Sequence, residues 1–153
     1  MITTYASNTI LKQISGLTSN GVFGSSIYLG LCSNPPAVDG TVTGEPEFNG
    51  TNGYARFKLG YDNVPTDLRW MADPTNGAMH NKREIHFNIA LESWGNLGYV
   101  CIFDKATNAS DCHLLAWGQL GTMSGGTWTP QTINAVADTV VVIPVNGLEI
   151  KVE

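Results

Sequence analysis

The chain has 153 residues and a mass of 16.4 kDa, which fits one domain that can bury a real core without metal or disulfide staples. Apolar residues make up 42% of the sequence and charged residues only 14%, a balance that excludes intrinsic disorder. The net charge is −5 and the 8 basic residues are scattered, which argues against a nucleic-acid partner. We therefore predict a single folded domain over residues 1–153.

Neither a membrane span nor a secretory signal is visible in the sequence. No apolar run approaches the roughly 20 residues that a membrane span needs, and the N-terminal residues lack the basic and apolar segments of a signal peptide. We expect no membrane partner, and synthesis in a cytoplasm, where thiols stay reduced. Cys32, Cys101 and Cys112 form no CxxC pair, so their expected role is that of small apolar core residues.

Residues 3–17 have the pattern of an amphipathic helix. Ala6, Ile10 and Ile14 recur at four-residue spacing and form one apolar stripe. A stripe on so short a helix needs a surface to pack against. We predict one short N-terminal helix that contacts either a sheet or a neighbouring subunit.

Most of the remaining chain alternates apolar and polar residues with the period of two that is typical of strands. The clearest alternation places Ile85, Phe87, Ile89 and Leu91 on one buried face. Predicted strands cover residues 27–32, 54–59, 84–92, 97–104, 112–120, 138–145 and 148–153, with a weaker one near 127–133.

Turn signals and the order of the strands predict the fold class. Residues 97–104 and 112–120 form a predicted hairpin, and Asn146-Gly147 predicts a second hairpin at the C-terminus. Because helices do not alternate with the strands, we predict a mainly β fold, an antiparallel β-sandwich or jelly roll with the one helix. Residues 34–52 are rich in Gly, Pro and Thr and form a predicted extended loop, or arm, for contacts.

No pattern in the sequence points to catalysis or to a cofactor. The three histidines lack the spacing of a zinc site. Asp104, Asn108 and Asp111 offer oxygen ligands for calcium in one loop, yet an ordinary polar loop explains the same residues. Glu84 and Glu92 lie on the polar face of a strand, and neither a nucleophile elbow nor a phosphate-binding loop is present. We expect no enzyme, with no catalytic, metal or cofactor-binding residues.

The four tryptophans allow one alternative. Trp70 and Trp128 fall in loop-like segments, where exposed indole rings would form a platform for a carbohydrate. Trp94 and Trp117 border core strands, and large aromatic side chains mostly supply buried area. Burial is therefore the main interpretation, and carbohydrate binding is the alternative.

Several short motifs follow one another along most of the chain. They are Ile27-Tyr28-Leu29-Gly30-Leu31, Glu45-Pro46, Gly53-Tyr54-Ala55-Arg56, Ile85-His86-Phe87 before Ser93-Trp94-Gly95, and Ile102-Phe103-Asp104 before Ala106-Thr107. In this order the chain resembles a family of small virion accessory proteins of tailed bacteriophages, known as tail fibre or minor structural proteins. It departs from the family in an expanded region at residues 61–81 and in a longer turn at 108–111. The resemblance implies a structural protein of a virion.

Together these observations predict a virion protein that is made in the host cytoplasm. The main hypothesis is an outer head-decoration (cement) protein that stabilises the capsid, binding the major capsid protein or other virion proteins. A homo-oligomer is expected, with a trimer favoured. The alternative is a tail-fibre or receptor-binding subunit that binds host carbohydrate. Predicted partner or glycan contacts are Ile10, Ile14, Glu45, Glu47, Phe48, Trp70 and Trp128.

Overall fold

A computed structural model describes residues 8, 10–12, 27–37, 39–59 and 70–151 of the chain. Within these ranges every strand pair is antiparallel, and residues 8 and 10–12 form one short helical segment. The predicted mainly β class is therefore confirmed. The strands are β1 (Tyr28–Cys32), β2 (Phe57–Lys58), β3 (Ala78–His80), β4 (Ile85–Ile89), β5 (Gly95–Leu97), β6 (Tyr99–Phe103), β7 (Leu114–Gln119), β8 (Gly121–Ser124), β9 (Thr127–Pro130), β10 (Ile133–Ala135), β11 (Val140–Ile143) and β12 (Glu149–Lys151).

A four-stranded sheet with the order β2-β1-β6-β7 forms one layer of the molecule. The predicted hairpin of residues 97–104 and 112–120 is confirmed, since β6 pairs with β7. β1 pairs along its whole length with β6, and its apolar residues Leu29 and Leu31 are fully buried. The alternating apolar residues of β1 thus pack into the core on one face of this sheet.

The second layer is a long antiparallel ribbon. Residues 133–151 run back along residues 78–97 in three consecutive ladders, β10 with β5, β11 with β4 and β12 with β3. The predicted C-terminal hairpin is wrong, because β11 and β12 do not pair with each other but with strands more than fifty residues earlier in the chain. β8 and β9 form a separate two-stranded hairpin.

The Asn146-Gly147 pair forms a tight turn of a different kind. The Gly147 N–H donates to the Pro144 carbonyl at 2.8 Å, and Asn146 has a φ of 60°. The hairpin turn that Asn-Gly favours needs a positive φ at both central residues. Here the buried Asn81 lies between the two arms instead: its amide donates to the Pro144 carbonyl at 2.7 Å, and its Oδ1 accepts the Leu148 N–H at 2.8 Å. The turn therefore connects β11 and β12, which pair with different strands, and does not close a hairpin between them.

A β-bulge in β4 changes the face of its apolar residues. Val140 pairs with Ile89 and Val142 pairs with His86. Between these pairs β11 advances by two residues and β4 by three, so β4 contains one extra residue. Ile85 and Phe87 are buried as predicted, whereas Asn88 and the following Ile89 both face solvent. Consequently Ile89 is 46% exposed and Leu91 is 56% exposed, where the alternation predicted burial for both.

One cluster of buried apolar residues extends from Leu11 in the helical segment to Ile150 in β12. Leu11 is fully buried and Ile10 is 39% exposed, so the helical segment packs against the core with one side. The remaining residues of the predicted helix at 3–17, including Ile14, lie outside the described residues. No described helix is long and apolar enough to cross a membrane.

Residues 34–52 contain neither helix nor strand in their described part. Backbone hydrogen bonds hold the loop to the rest of the protein near both of its ends. At its start the Ser33 N–H donates to the Gly44 carbonyl at 2.9 Å, and at its end the Asn52 carbonyl accepts the Leu91 N–H at 3.0 Å. The loop thus folds back on the two sheets.

Candidate functional site

The residues of the recognised motifs meet around a buried ion pair. Glu45 lies in the loop at 34–52, and Arg56 immediately precedes β2. Arg56 donates from Nε to Glu45 Oε1 at 2.7 Å and from Nη2 to Oε2 at 2.6 Å, a two-point contact. The side chains are only 1% and 9% exposed. Water is therefore almost excluded from this pair.

The other nitrogen of Arg56 bonds to the loop after β6. Nη1 donates to the carbonyl oxygens of Lys105 at 2.8 Å and Thr107 at 3.0 Å, and it lies 3.2 Å from Cys112 Sγ. The guanidinium carbon lies 3.4 Å from the centroid of the Phe103 ring. Burial by itself would lower the pKa of Arg56, but Glu45 raises it, so the guanidinium stays charged.

Tyr54 shares the same carboxylate. Its hydroxyl donates to Glu45 Oε1 at 2.8 Å and accepts the Leu31 N–H at 3.0 Å. Burial, and next the negative charge of Glu45, raise the pKa of Tyr54 far above its ordinary value. A Cβ on Gly30 would lie 2.8 Å from Glu45 Oε1 and 2.8 Å from Phe103, which explains the glycine between the two leucines of β1.

Trp94 joins this cluster from the loop after β4. Its ring meets Tyr54 edge to face with centroids 5.3 Å apart, and Nε1 donates to the Asn52 carbonyl at 2.8 Å. Trp94 is 6% exposed, so its predicted place in the core is confirmed. We refer to Glu45, Asn52, Tyr54, Arg56 and Trp94 as the motif cluster.

The motif cluster has a structural role: its polar side chains hold a loop in place, like a brace, through hydrogen bonds within the protein. The ring nitrogen of Trp94 and all three guanidinium nitrogens of Arg56 have acceptors within the protein. A cleft of about 240 Å³ opens beside the cluster, between residues 40–45 and residues 108–114. Since the Arg56 side chain is nearly inaccessible from this cleft, the cluster presents no free charge to a ligand. It ties the loop at 34–52 to both sheets.

The two carboxylates considered as calcium ligands, Asp104 and Asp111, are engaged with different partners. Asp104 accepts the His113 N–H at 2.7 Å and contacts His113 Nδ1 at 2.8 Å. Asp111 pairs with Lys105 at 2.9 Å, and this lysine lowers the pKa of Asp111. Over residues 8, 10–12, 27–37, 39–59 and 70–151 no group of three or more His, Cys, Asp or Glu side chains is arranged to hold a metal ion.

The cysteines lie in two settings. Cys32 and Cys101 are buried on neighbouring strands with their sulfur atoms 3.3 Å apart, and both are free thiols. The hydrogen bond to Cys32, and next burial, raise the pKa of Cys101. Cys112 is partly buried beside Arg56 and is also free. Cys32 and Cys101 pack with Phe103 in a second, smaller apolar cluster that is separate from the main core cluster.

The predicted contact residues of the loop do not form one surface. Glu45 is used inside the motif cluster, whereas Glu47 is exposed. Phe48 is partly buried, with its ring centroid 5.2 Å from that of Tyr54. Of these three residues, only Glu47 is exposed.

The two tryptophans that were candidates for a sugar platform have separate settings. Trp70 is partly buried: its ring meets Phe57 edge to face at 4.7 Å, and the Arg83 guanidinium carbon lies 4.7 Å from its centroid. Trp128 lies on β9, and its side chain is outside the described part of the structure.

The exposed aromatic residue that the sequence did not indicate is Trp117. It lies on β7, the edge strand of the four-stranded sheet, and is 48% exposed. Its ring meets Tyr99 edge to face, with centroids 5.8 Å apart. The one sign of this exposure in the sequence is Gln119. It lies two residues after Trp117 on the same strand, so the two side chains share a face, and a polar side chain indicates that this face is accessible.

A second accessible region lies on the ribbon. Eight large apolar side chains are exposed among the described residues, and six of them belong to β4, β11 or the segments beside these strands. We call this set the apolar surface; it comprises Ile89, Leu91, Val136, Val140, Val142 and Val145.

Comparison with known proteins gives the chain a family. The family model described as Podophage GP4 fiber I protein gp80 matches residues 1–146 of the 153 residues. A search of curated proteins finds no match. The resemblance to virion proteins of tailed phages is thereby confirmed. The match spans nearly the whole chain, so the protein belongs to the Podophage GP4 fiber I protein gp80 family and is a structural protein of a bacteriophage virion.

Proposed function

We propose that this protein is a tail-fibre subunit of a bacteriophage. The observation that carries the proposal is the family match over residues 1–146, since the matching family is named for a fibre protein. The head-decoration function that we predicted from the sequence receives no support from this match, and the tail-fibre alternative fits it better. Its partners are then other virion proteins rather than the major capsid protein.

The proposed role is structural rather than enzymatic. The only buried charged pair among the described residues, Glu45 with Arg56, is saturated by protein groups and holds a loop in place. A fibre subunit must keep its shape outside the cell without a bound cofactor, and such a brace supplies rigidity of that kind.

Contact with a host carbohydrate is the finer part of the proposal, and Trp117 is the residue that supports it. An indole ring that is half exposed on an edge strand can stack on the apolar face of a sugar ring. Tyr99 holds the ring from one side, and the Gln119 amide lies on the same strand face for hydrogen bonding. These features favour Trp117 over the partly buried Trp70 as the proposed contact.

Labelling of intact phage tests the location. Antibodies raised against the purified chain are applied to virions and detected by gold in the electron microscope. Label on the tail supports the fibre function, while label spread over the head restores the head-decoration hypothesis. Particles from which the tails have been detached serve as the control for head binding.

Competition for adsorption tests the receptor contact. Purified protein is added to host cells before phage, and the adsorption rate is measured with the wild type, Trp117→Ala and Lys105→Ala. We expect the wild type and Lys105→Ala, a change at another partly exposed side chain, to slow adsorption equally. Trp117→Ala should need at least about ten times more protein for the same effect, as for the loss of a central aromatic contact. Equal inhibition by all three proteins rules out Trp117 as the contact.

A further inference from the structure

Five Asn-Gly pairs occur in the sequence, and four of them, at 49–50, 52–53, 76–77 and 146–147, lie in the described residues. Asparagine is a chemically labile residue. Its side-chain amide is lost when the backbone nitrogen of the next residue attacks Cγ, and a glycine at that position adds no Cβ to hinder the approach. The reaction is favoured where that nitrogen has no hydrogen-bond partner and where donors polarise the amide oxygen. The four pairs differ in both respects.

The pair at 52–53 is protected by burial. Asn52 is only 6% exposed, so water has little access to its side chain. Its amide nitrogen, which would have to leave as ammonia, donates to the Glu47 carbonyl at 2.9 Å. Loss of ammonia at this position removes that hydrogen bond from the motif cluster, so we expect the reaction there to be slow.

In two further pairs the attacking nitrogen is itself engaged. The Gly77 N–H donates to Asn8 Oδ1 at 3.0 Å, and the Gly147 N–H donates to the Pro144 carbonyl at 2.8 Å. Attack on the preceding side chain requires this proton to be lost and this hydrogen bond to be broken. We therefore expect both turns to retain their amides while the protein is folded.

The pair at 49–50 has neither form of protection. Asn49 and Gly50 are both exposed in the loop at 34–52, and among the described residues the Gly50 N–H has no hydrogen-bond partner. Asn49 Oδ1 accepts the Thr51 N–H at 2.9 Å and the Asn52 N–H at 3.1 Å. Two backbone donors on one carbonyl oxygen form the arrangement that stabilises an oxyanion during attack at the adjoining carbon.

We propose that Asn49 is a site of self-modification, at which the side-chain amide is lost and an aspartate or isoaspartate is formed. The Gly50 nitrogen gives its proton to water and attacks Asn49 Cγ, and an electron pair of the C=O bond moves onto Oδ1. When that pair returns, the bond from Cγ to the amide nitrogen breaks, and this nitrogen takes a proton from water and leaves as ammonia. One water molecule then opens the resulting succinimide ring at either of its carbonyl carbons. Water is the only co-reactant.

The modification reaches the motif cluster through Asn52. The Asn52 N–H is one of the two donors on Asn49 Oδ1. The carbonyl of the same residue accepts the Leu91 N–H and Trp94 Nε1–H. Isoaspartate lengthens the main chain by one carbon atom between positions 49 and 50, which moves the acceptor away from the Asn52 N–H, and both products add a negative charge to a chain whose net charge is already −5. The end of the loop is therefore held less firmly in aged protein.

Peptide mapping of the aged full chain tests the proposal. The folded protein is incubated at pH 8, and mass spectrometry then measures the deamidated fraction at each Asn-Gly pair. The pair at 49–50 should react at least about tenfold faster than those at 52–53, 76–77 and 146–147. In urea the four pairs should react at similar rates, because the hydrogen bonds that distinguish them are lost. Equal rates in the folded protein, or the same tenfold difference in urea, overturn the proposal.

Comparison of fresh and aged protein tests the consequence for the loop. Asn49→Ser keeps a side-chain oxygen for the turn but has no amide to lose. Its midpoint of urea unfolding should stay the same on ageing, whereas the midpoints of the wild type and of Asn108→Ser, a change at another exposed asparagine, should fall. An equal fall for all three proteins, or a wild type that deamidates at position 49 without any fall, overturns the link to the motif cluster. None of these outcomes depends on where the protein lies in the virion.

Discussion

The motif cluster and the apolar surface reverse the usual distribution of polar and apolar side chains. In the motif cluster Arg56 and Glu45 are almost completely buried, whereas Val142 and Ile89 on the ribbon are exposed. A buried ion pair is tolerated because every charged atom is hydrogen-bonded, while an exposed apolar face is tolerated when another surface covers it. The polarity of a residue therefore predicts its place only together with its local geometry: Arg56 and Glu45 have all their partners within the chain, whereas the bulge in β4 turns Ile89 toward solvent.

The largest effect is expected at Trp94, where the motif cluster meets the core. Trp94→Ala removes a buried aromatic side chain, its contact with Tyr54 and its hydrogen bond to the Asn52 carbonyl. We expect a loss of about 3–5 kcal/mol in the free energy of unfolding, as for other large aromatic truncations. Urea unfolding measures this loss, and a variant as stable as the wild type would show that the ring does not support the core.

Removal of one partner of the ion pair comes next. Arg56→Met keeps most of the volume but leaves Glu45 buried without its counter-charge, which should cost about 3 kcal/mol. Lys105→Met breaks the exposed pair with Asp111 and serves as the matched control, with no measurable change expected. The double variant Glu45→Leu/Arg56→Met should be more stable than Arg56→Met alone, since no charge then remains buried. If the double variant is less stable than Arg56→Met, an unpaired buried charge on Glu45 does not explain the loss of stability, and this prediction is wrong.

Alkaline pH tests the contribution of Tyr54, the buried tyrosine of the motif cluster. The pKa of Tyr54 is raised in the folded protein, so the unfolded chain releases this proton first, near the ordinary tyrosine pKa of about 10. Stability is therefore fully present below about pH 10 and falls above it by up to about 1.4 kcal/mol per pH unit from this group. Unfolding measured at pH 8 and pH 11 gives the decrease.

Tyr54→Phe supplies the control for that decrease. The variant leaves the Leu31 N–H without its acceptor and is expected to lose about 1–2 kcal/mol at pH 8. It should also lose less stability than the wild type between pH 8 and pH 11, because one shifted group is gone. Parallel curves for the wild type and Tyr54→Phe would contradict the assignment to Tyr54.

Much of the fold was predictable from short-range patterns. The alternation in β1, the hairpin of β6 with β7 and the burial of Trp94 follow from residues that are close in sequence or strongly apolar. The bulge in β4 has no such signal, since adding one residue changes the buried face without changing the composition. The partner of β11 is also set at long range, because Asn81 holds the turn after Pro144.

The site was less predictable because its geometry depends on tertiary contacts. Glu45 was expected to contact a partner, but the structure places Arg56 against it from eleven residues away. Trp117 was expected to border the core, yet β7 is an edge strand, and only the topology reveals that its face is half open. The motifs identified the family and the fold, while the accessible surfaces arise from strand order and from the bulge.

The smallest effect is expected on the apolar surface, and it tests whether Val142 is exposed in its own chain. Val142→Thr retains a β-branched residue at an exposed position, so dilute protein should change in stability by less than about 0.5 kcal/mol. Ile143→Thr, on the buried face one residue later, is the matched control and should cost at least about 2 kcal/mol. If Val142→Thr destabilises dilute protein as much as Ile143→Thr, Val142 is buried by its own chain and its surface is not free for a partner.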